Sequence, residues 1–451
     1  VARRYWLETL GCPKNQVDSE KLAGTLLADG LQPARRPEEA DLVVVNTCGF
    51  VEAAREESIE AILDLAERRR AGAKLVVTGC LAERAGSELA RALPEVDLVG
   101  GFGVTPLAAL EGPQPRRRLA VREAPRLDLL ELPRPPAAGP WAYLKVAEGC
   151  DRRCGFCAIP SFRGPQRSRS PEAVLAELEQ LGPRVREVVL VAQDLASYGL
   201  DRRLGPGERP RPAGRRPLLA LLESVAAVVP WVRLLYLYPS SVDEDLVEAV
   251  VATGLPYFDL SLQHASARLL RRMRRPGGSE RFLALLETIR RHAPEAAVRS
   301  SFVVGYPGET EEDQEELLEF LEAAQLDWAG FFPFSAEEGT FAAGLDGAVP
   351  PEVVAERLGE LSALQAGITE DRQRQMVGRT LEVLVERPGV ARSYREAPEI
   401  DGVLQVPRNL PVGELVPVVV TGAAGAELFA EPTGELAGAA GGGPAGSGAV
   451  R

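Results

Sequence analysis

Three of the chain's six cysteines stand close together, in Glu148-Gly-Cys-Asp-Arg-Arg-Cys-Gly-Phe-Cys157. Gaps of three and two residues between Cys150, Cys154 and Cys157 let one tight loop turn three thiolates onto a single inorganic core. Three ligands instead of four leave one iron of an iron-sulfur cluster open to a small molecule. A zinc loop or chance clustering is the alternative; structural zinc sites favour paired C-x2-C units with a fourth ligand nearby, and no further cysteine or histidine lies close in sequence. Cys12, Cys48 and Cys80 are 36 and 32 residues apart, a spacing that carries nothing by itself. Their placement carries more, because each follows a predicted strand: Thr9-Leu-Gly-Cys12, Asn46-Thr-Cys48 and Thr78-Gly-Cys80. Neighbouring parallel strands bring their C-terminal ends together, so three loops converge at one sheet edge. A second cluster with an open position is expected there, against the alternative of three small buried residues.

The elements that must position these thiols are legible in the apolar pattern. Arg4–Thr9, Leu42–Val45 and Leu75–Thr78 read as strands, with helices over Val17–Ala28, Glu52–Arg70 and Ala82–Leu93. Strand and helix alternating in this way imply a parallel sheet with crossover helices. The stretch Gly112–Pro140 carries seven prolines and the Arg116–Arg118 run, a linker composition. Six more strands follow with helices between them: Tyr143–Val146, Glu187–Ala192, Val232–Leu237, Tyr257–Leu262, Val298–Val304 and Trp328–Phe332. That count over roughly two hundred residues fits a partial TIM-type barrel, a (β/α)6 unit with its chemistry at the C-terminal strand ends. From about Asp371 short strand-like runs take over, at Leu381–Val385, Gly402–Val406 and Leu415–Val420, and read as a small β-barrel ending near Pro432. The expected division is 3–112, a linker at 113–140, a barrel over 141–368, a β-rich unit over 370–432, and a Gly-rich tail at 433–451 expected to be disordered.

A 451-residue chain with 45% hydrophobic and 26% charged residues is an ordinary multidomain globular protein, neither collagen-like nor a membrane bundle. Its net charge of −13 argues against a protein held to partners by non-specific phosphate attraction. Glu8 interrupts the N-terminal apolar residues, and Leu218–Tyr238 is broken by Glu223, Pro230 and Arg233. No signal peptide, no membrane partner and a cytoplasmic location are expected. There, cysteines stay reduced, which favours metal ligation, catalysis or plain burial over disulfides. Of the two histidines, His264 falls at a strand end where it can face a site, and His292 belongs to a surface helix. The Arg271-Arg-Met-Arg-Arg275 cluster reads as a solvated helix face, contact with RNA or a carboxylate being the alternative.

The C-x3-C-x2-C spacing is the signature of radical S-adenosylmethionine enzymes. Together with Leu10-Gly-Cys-Pro-Lys-Asn-Gln-Val-Asp-Ser19, the two later cysteines and the β-rich C-terminus, the chain resembles the methylthiotransferase family over about residues 3–432. The resemblance implies a 4Fe-4S cluster on Cys150, Cys154 and Cys157, an auxiliary one on Cys12, Cys48 and Cys80, and a TRAM domain that recognises the substrate. It implies that S-adenosylmethionine is cleaved to a 5'-deoxyadenosyl radical that takes hydrogen from the substrate, whose radical then combines with methylated sulfur. A low-potential electron donor and a sulfur donor are therefore expected partners. By the same resemblance Gln193 and Asp194 contact the amino group of S-adenosylmethionine, a solvated loop being the alternative. Gly305 and Glu309, in Gly305-Tyr-Pro-Gly-Glu-Thr310, match the adenosine-side motif, although a turn capped by Thr310 and Asp313 explains that segment too.

Family members modify either an adenosine beside the anticodon in tRNA or an aspartate of small-subunit ribosomal protein twelve. Leu190-Val-Ala-Gln-Asp-Leu-Ala-Ser-Tyr-Gly199, Leu262-Gln-His-Ala-Ser266 and Glu396-Ala-Pro-Glu-Ile-Asp-Gly402 resemble the second type. Residues 370–432 hold seven arginines against ten carboxylates, a balance better suited to a basic protein than to RNA. Methylthiolation of the ribosomal protein is expected, tRNA methylthiolation is the alternative, and an iron-sulfur sensor or carrier is the reading from another class.

Overall fold

The computed structural model describes residues 2–110, 128–202 and 216–434. Most of the expected linker, with Arg116–Arg118, and nearly all of the expected tail lie outside the described residues.

The N-terminal sheet is entirely parallel, with strands in the order Gln32–Pro33, Arg4–Thr9, Leu42–Thr47, Lys74–Gly79 and Leu98–Val99. The three long strands are those expected, and two short edge strands complete the sheet. Leu42–Thr47 is buried on both faces, which is why it reads as an unbroken apolar run. Register pairs Thr9 with Asn46, and Asn46 with Thr78, so the three cysteine loops leave the sheet side by side. The first helix spans Pro13–Ala28, four residues more than the periodicity predicts. Pro13 sets the opening turn, and Lys14, Asn15, Asp18 and Ser19 are buried there although polar, so an apolar pattern passes over them.

The central domain is the expected partial barrel. Trp141–Lys145, Glu187–Val191 and Trp231–Leu234 form one parallel sheet, and Tyr257–Gln263, Ala297–Val304 and Trp328–Pro333 another, joined through a parallel bridge between Leu237 and Leu260. Its inner face is filled from outside: Val17 of the first helix and Ala397 of the C-terminal unit pack with Tyr143, Val189, Val191, Tyr257 and Trp328.

A helix over Pro351–Arg374, unforeseen in the sequence, runs from the barrel to the C-terminal unit. Its buried face holds Gln365, Thr369 and Gln373, polar residues that bond to the backbone of Leu326, Asp327 and Ala426, and so gives no apolar stripe. Beyond it lies a closed five-stranded barrel of Thr380–Arg387, Val390–Arg392, Leu404–Gln405, Glu427–Pro432 and Leu415–Ala424. Residues 392–401 plug the N-terminal ends of the large barrel's strands. Glu187 accepts from Arg233 at 2.7 Å and from Arg392 at 2.6 Å, Arg395 reaches Asp327 at 2.7 Å, and Trp328 Nε1 donates to the Arg395 carbonyl at 2.9 Å. Within Glu396–Gly402 the Pro398 carbonyl accepts from Tyr143 at 2.9 Å, and Asp401 accepts from Tyr257 at 2.6 Å and Arg299 at 3.1 Å, so this stretch also docks the two domains. With this end closed, the opposite mouth meets the N-terminal domain. Among the described residues no helix is long and apolar enough to cross a membrane.

Candidate functional site: two cysteine triads at a domain seam

All six cysteines are free thiols, gathered as two sets of three. Cys12 caps the first helix, Cys48 follows its strand directly, and Cys80 opens the helix Cys80–Ala92. Gly11 has φ +94°, and a Cβ placed on it would stand 2.8 Å from Cys48 Cβ and 2.9 Å from its Sγ, so the loop closes only with glycine there. Asn15 ties the loops together, donating to the carbonyls of Leu10 at 2.9 Å and Thr47 at 3.0 Å while its Oδ1 lies 3.5 Å from Cys80 Sγ. Burial pushes the Cys48 thiol up to about 11 and raises Cys80. At Cys12 burial acts the same way, but the Lys14 and Arg163 charges together with the backbone N–H groups of Asn15 and Lys14 outweigh it and hold that thiol below its usual range.

Cys150, Cys154 and Cys157 stand at the barrel mouth, past the short strand Ala147–Glu148. Gly149 turns the chain at φ +78°, and Cys150 N–H donates to the Gly164 carbonyl at 3.1 Å. Burial pushes Cys150 up to about 11 and Cys157 up to about 12, the neighbouring thiols adding to both shifts. A metal that binds these sulfurs has to displace their protons, so loading either set releases protons and strengthens with rising pH. Among the described residues no three cysteine, histidine or acidic side chains stand close enough to share one metal ion. A polynuclear cluster spreads its thiolates over several irons, and both sets, three soft donors without a fourth ligand, fit that chemistry.

Gln193 and Asp194 lie just past the second barrel strand, beside Cys150. Gln193 donates to Glu148 at 2.9 Å, and Asp194 Oδ2 accepts from Arg152 at 2.6 Å. Among the described residues Gln193 Oε1 and Asp194 Oδ1 are buried without a partner, two acceptors suited to a ligand's ammonium group. Glu309 instead turns into the chain, accepting from the backbone N–H groups of Gly305 at 2.7 Å and Tyr306 at 3.1 Å, and from Arg357 at 2.9 Å. It shapes the loop, and Thr310 with Asp313 forms the capping box that follows.

Arginines that sequence reading passed over complete the site. Arg275 belongs to no solvated face: it is buried, donates to Cys154 Sγ at 3.1 Å, and shares the Tyr238 ring with Arg152 at 4.1 and 4.0 Å from the centroid. Arg163 crosses the seam between the two sets. One guanidinium nitrogen donates to Glu148 at 2.8 Å and Asp18 at 3.1 Å, the other to Asn15 at 2.6 Å and Cys80 Sγ at 3.1 Å. Lys145 pairs with the same two carboxylates. Glu148, next to the barrel's cysteine loop, is thereby linked to a thiol of the other domain through one side chain. The only signal in the sequence was the proximity of Arg163 to the triplet.

His264 does not open to solvent. It is fully buried, accepts from the Ser266 N–H at 3.0 Å, and burial holds it at about 4, below its ordinary 6.5. The unfolded chain therefore takes up a proton between those values where the native chain does not. Stability is expected to fall by up to about 3 kcal/mol as pH drops from 6.5 toward 4. Denaturant melts of the protein and of His264→Gln across this range check it, the variant losing that part of the slope. His292 lies on the outer helix beside Glu244, at 3.0 Å.

Residues 4–101 match the uncharacterised protein family UPF0004, residues 144–321 the radical SAM superfamily, and residues 377–432 the TRAM domain. The chain is 46% identical to a ribosomal protein uS12 methylthiotransferase of Moorella thermoacetica, over 92% of this chain and 95% of that one. It is 43% identical to the protein of the same name from Kineococcus radiotolerans, over 96% and 98%. Among solved structures, a radical S-adenosylmethionine methyltransferase from Kitasatospora setae superposes with a TM-score of 0.52 at 16% identity, over 74% and 75% of the two chains, a likeness of fold.

Proposed function

The chain belongs to the ribosomal protein uS12 methylthiotransferase family, and from that premise we propose that it replaces a β-hydrogen of one uS12 aspartate by a methylthio group. The observation that carries the reading is Arg163, one side chain that joins Cys80 of the N-terminal triad to Glu148, two residues before Cys150 of the barrel triad. When bound, two 4Fe-4S clusters and S-adenosylmethionine supply the carbon radical and the methylated sulfur.

The chain's own part is holding, orienting and shielding. Cys150, Cys154 and Cys157 hold one cluster and Cys12, Cys48 and Cys80 the other. Gln193 and Asp194 offer their unpartnered oxygens to the amino group of S-adenosylmethionine, and Glu309 keeps the Gly305 backbone in place for the adenosine. Arg275 and Arg163 each donate to one ligand sulfur, a bond that tunes a cluster's potential. An electron donor of low potential and a sulfur source complete the balance, and a ribosomal substrate places the reaction in the cytoplasm.

Reconstituted protein incubated with S-adenosylmethionine, a reductant, inorganic sulfide, purified uS12 and bulk tRNA is expected to yield a methylthio mass increment on one uS12 aspartate. The same increment on tRNA nucleosides, with uS12 unchanged, contradicts the assignment.

A further inference from the structure

Buried cations in this chain come with carboxylates. Of the eleven lysines and arginines buried among the described residues, nine have a carboxylate oxygen within 4 Å. The exceptions are Arg275 and Lys14. Arg275 is engaged by Cys154 Sγ, the Ser261 carbonyl and the ring of Tyr238. Lys14 is only 7% exposed, its ammonium lies over the face of Tyr236, 3.2 Å from the ring centroid, and its charge is felt by the Cys12 thiol. Its three N–H donors make no hydrogen bond among the described residues. Asp259, a carboxylate whose charge reaches it, is already held by the Tyr236 N–H at 2.9 Å and by Arg299 at 3.3 Å.

The place is as telling as the missing partner. Lys14 stands two residues after Cys12, and Tyr236 lies just beyond the third barrel strand, so the pair bridges the auxiliary triad and the barrel mouth. Tyr236 adopts φ +66°, a conformation that an aromatic residue keeps only where its surroundings enforce it, and such positions gather at ligand sites. A substrate that must meet both triads has to enter this seam.

We propose that Lys14 is the carboxylate-binding residue for the target side chain, with Tyr236 as the wall beside it. This rests on the reading of an aspartate-bearing protein substrate given above. A carboxylate drawn into a buried site loses its water and needs a cation there. The reacting β-carbon is bonded directly to the carboxylate carbon, so gripping the carboxylate fixes the carbon that must react.

The test is binding of purified uS12, carrying either the target aspartate or asparagine in its place, to iron-loaded protein matched for iron content. Wild-type protein is expected to prefer the aspartate form by on the order of tenfold or more in Kd. Lys14→Gln and Lys14→Met, the second filling the same space without charge, are expected to bring the two forms level by weakening the aspartate form alone. Lys14→Arg is expected to keep most of the preference. An undiminished preference in Lys14→Gln and Lys14→Met, an equal loss of both forms, or a wild-type protein that binds both forms alike overturns the assignment while leaving the function standing. A wild-type protein that binds neither form removes the function and the assignment together.

Discussion

Replacing Cys12, Cys48 and Cys80 together by alanine is expected to reduce methylthiolated uS12 below detection while 5'-deoxyadenosine is still formed from S-adenosylmethionine. Replacing Cys150, Cys154 and Cys157 is expected to abolish both. The difference follows from where the orphaned acceptors lie. Gln193 and Asp194 belong to the barrel, with Asp194 close enough to act on Cys150, so the proposed function puts the cofactor's amino group there and not at the N-terminal sheet. Ligands of one centre act as a unit, so any single member of a triad is expected to cost nearly as much as all three. Chromatography of 5'-deoxyadenosine beside mass spectrometry of uS12, on the same samples, separates the two losses. Product formed by the Cys12, Cys48 and Cys80 variant would contradict the division of labour.

The second large effect concerns the charges buried in the seam. Arg163→Met removes the one cation that touches Asp18, Glu148, Asn15 and Cys80 at once. Lys145 is then left alone with two carboxylates, both buried. Breaking a buried ion network at one member costs roughly 3–5 kcal/mol. The matching change at the surface, Arg68→Met, removes pairs with Asp64 and Glu38 that are about half exposed and screened by water, and is expected to leave the midpoint almost where it was. Urea unfolding of the metal-free chains compares the two, so the result does not depend on cluster loading. Equal midpoints for Arg163→Met and Arg68→Met would show that the seam is not held by these charges.

What could be read beforehand was whatever one chain segment dictates alone. Leu42–Val45 announces a buried parallel strand by its unbroken apolar run, and the cysteines declare themselves by falling at strand ends. What stayed hidden was polar material buried by a distant partner. Lys14, Asn15 and Asp18 look like a solvated helix start until the barrel covers them. Arg392 and Arg395 look like surface charge in a β-rich unit, yet they close the floor of the large barrel against Glu187 and Asp327. In Arg271–Arg275, Arg272 donates to the Pro307 carbonyl at 2.8 Å, Arg274 stacks on Phe341 and Arg275 points inward to Cys154. Local pattern shows that an arginine is charged; only the tertiary contacts show which carbonyl, ring or thiol it serves.

The central claim is that each triad holds its own cluster, and iron and sulfide counting after anaerobic reconstitution tests it most directly. Wild-type protein is expected to bind roughly eight irons per chain, two four-iron clusters, and each triple-alanine variant roughly four. Iron saturating at half the wild-type expectation, with no further loss on changing Cys12, Cys48 and Cys80, would contradict it.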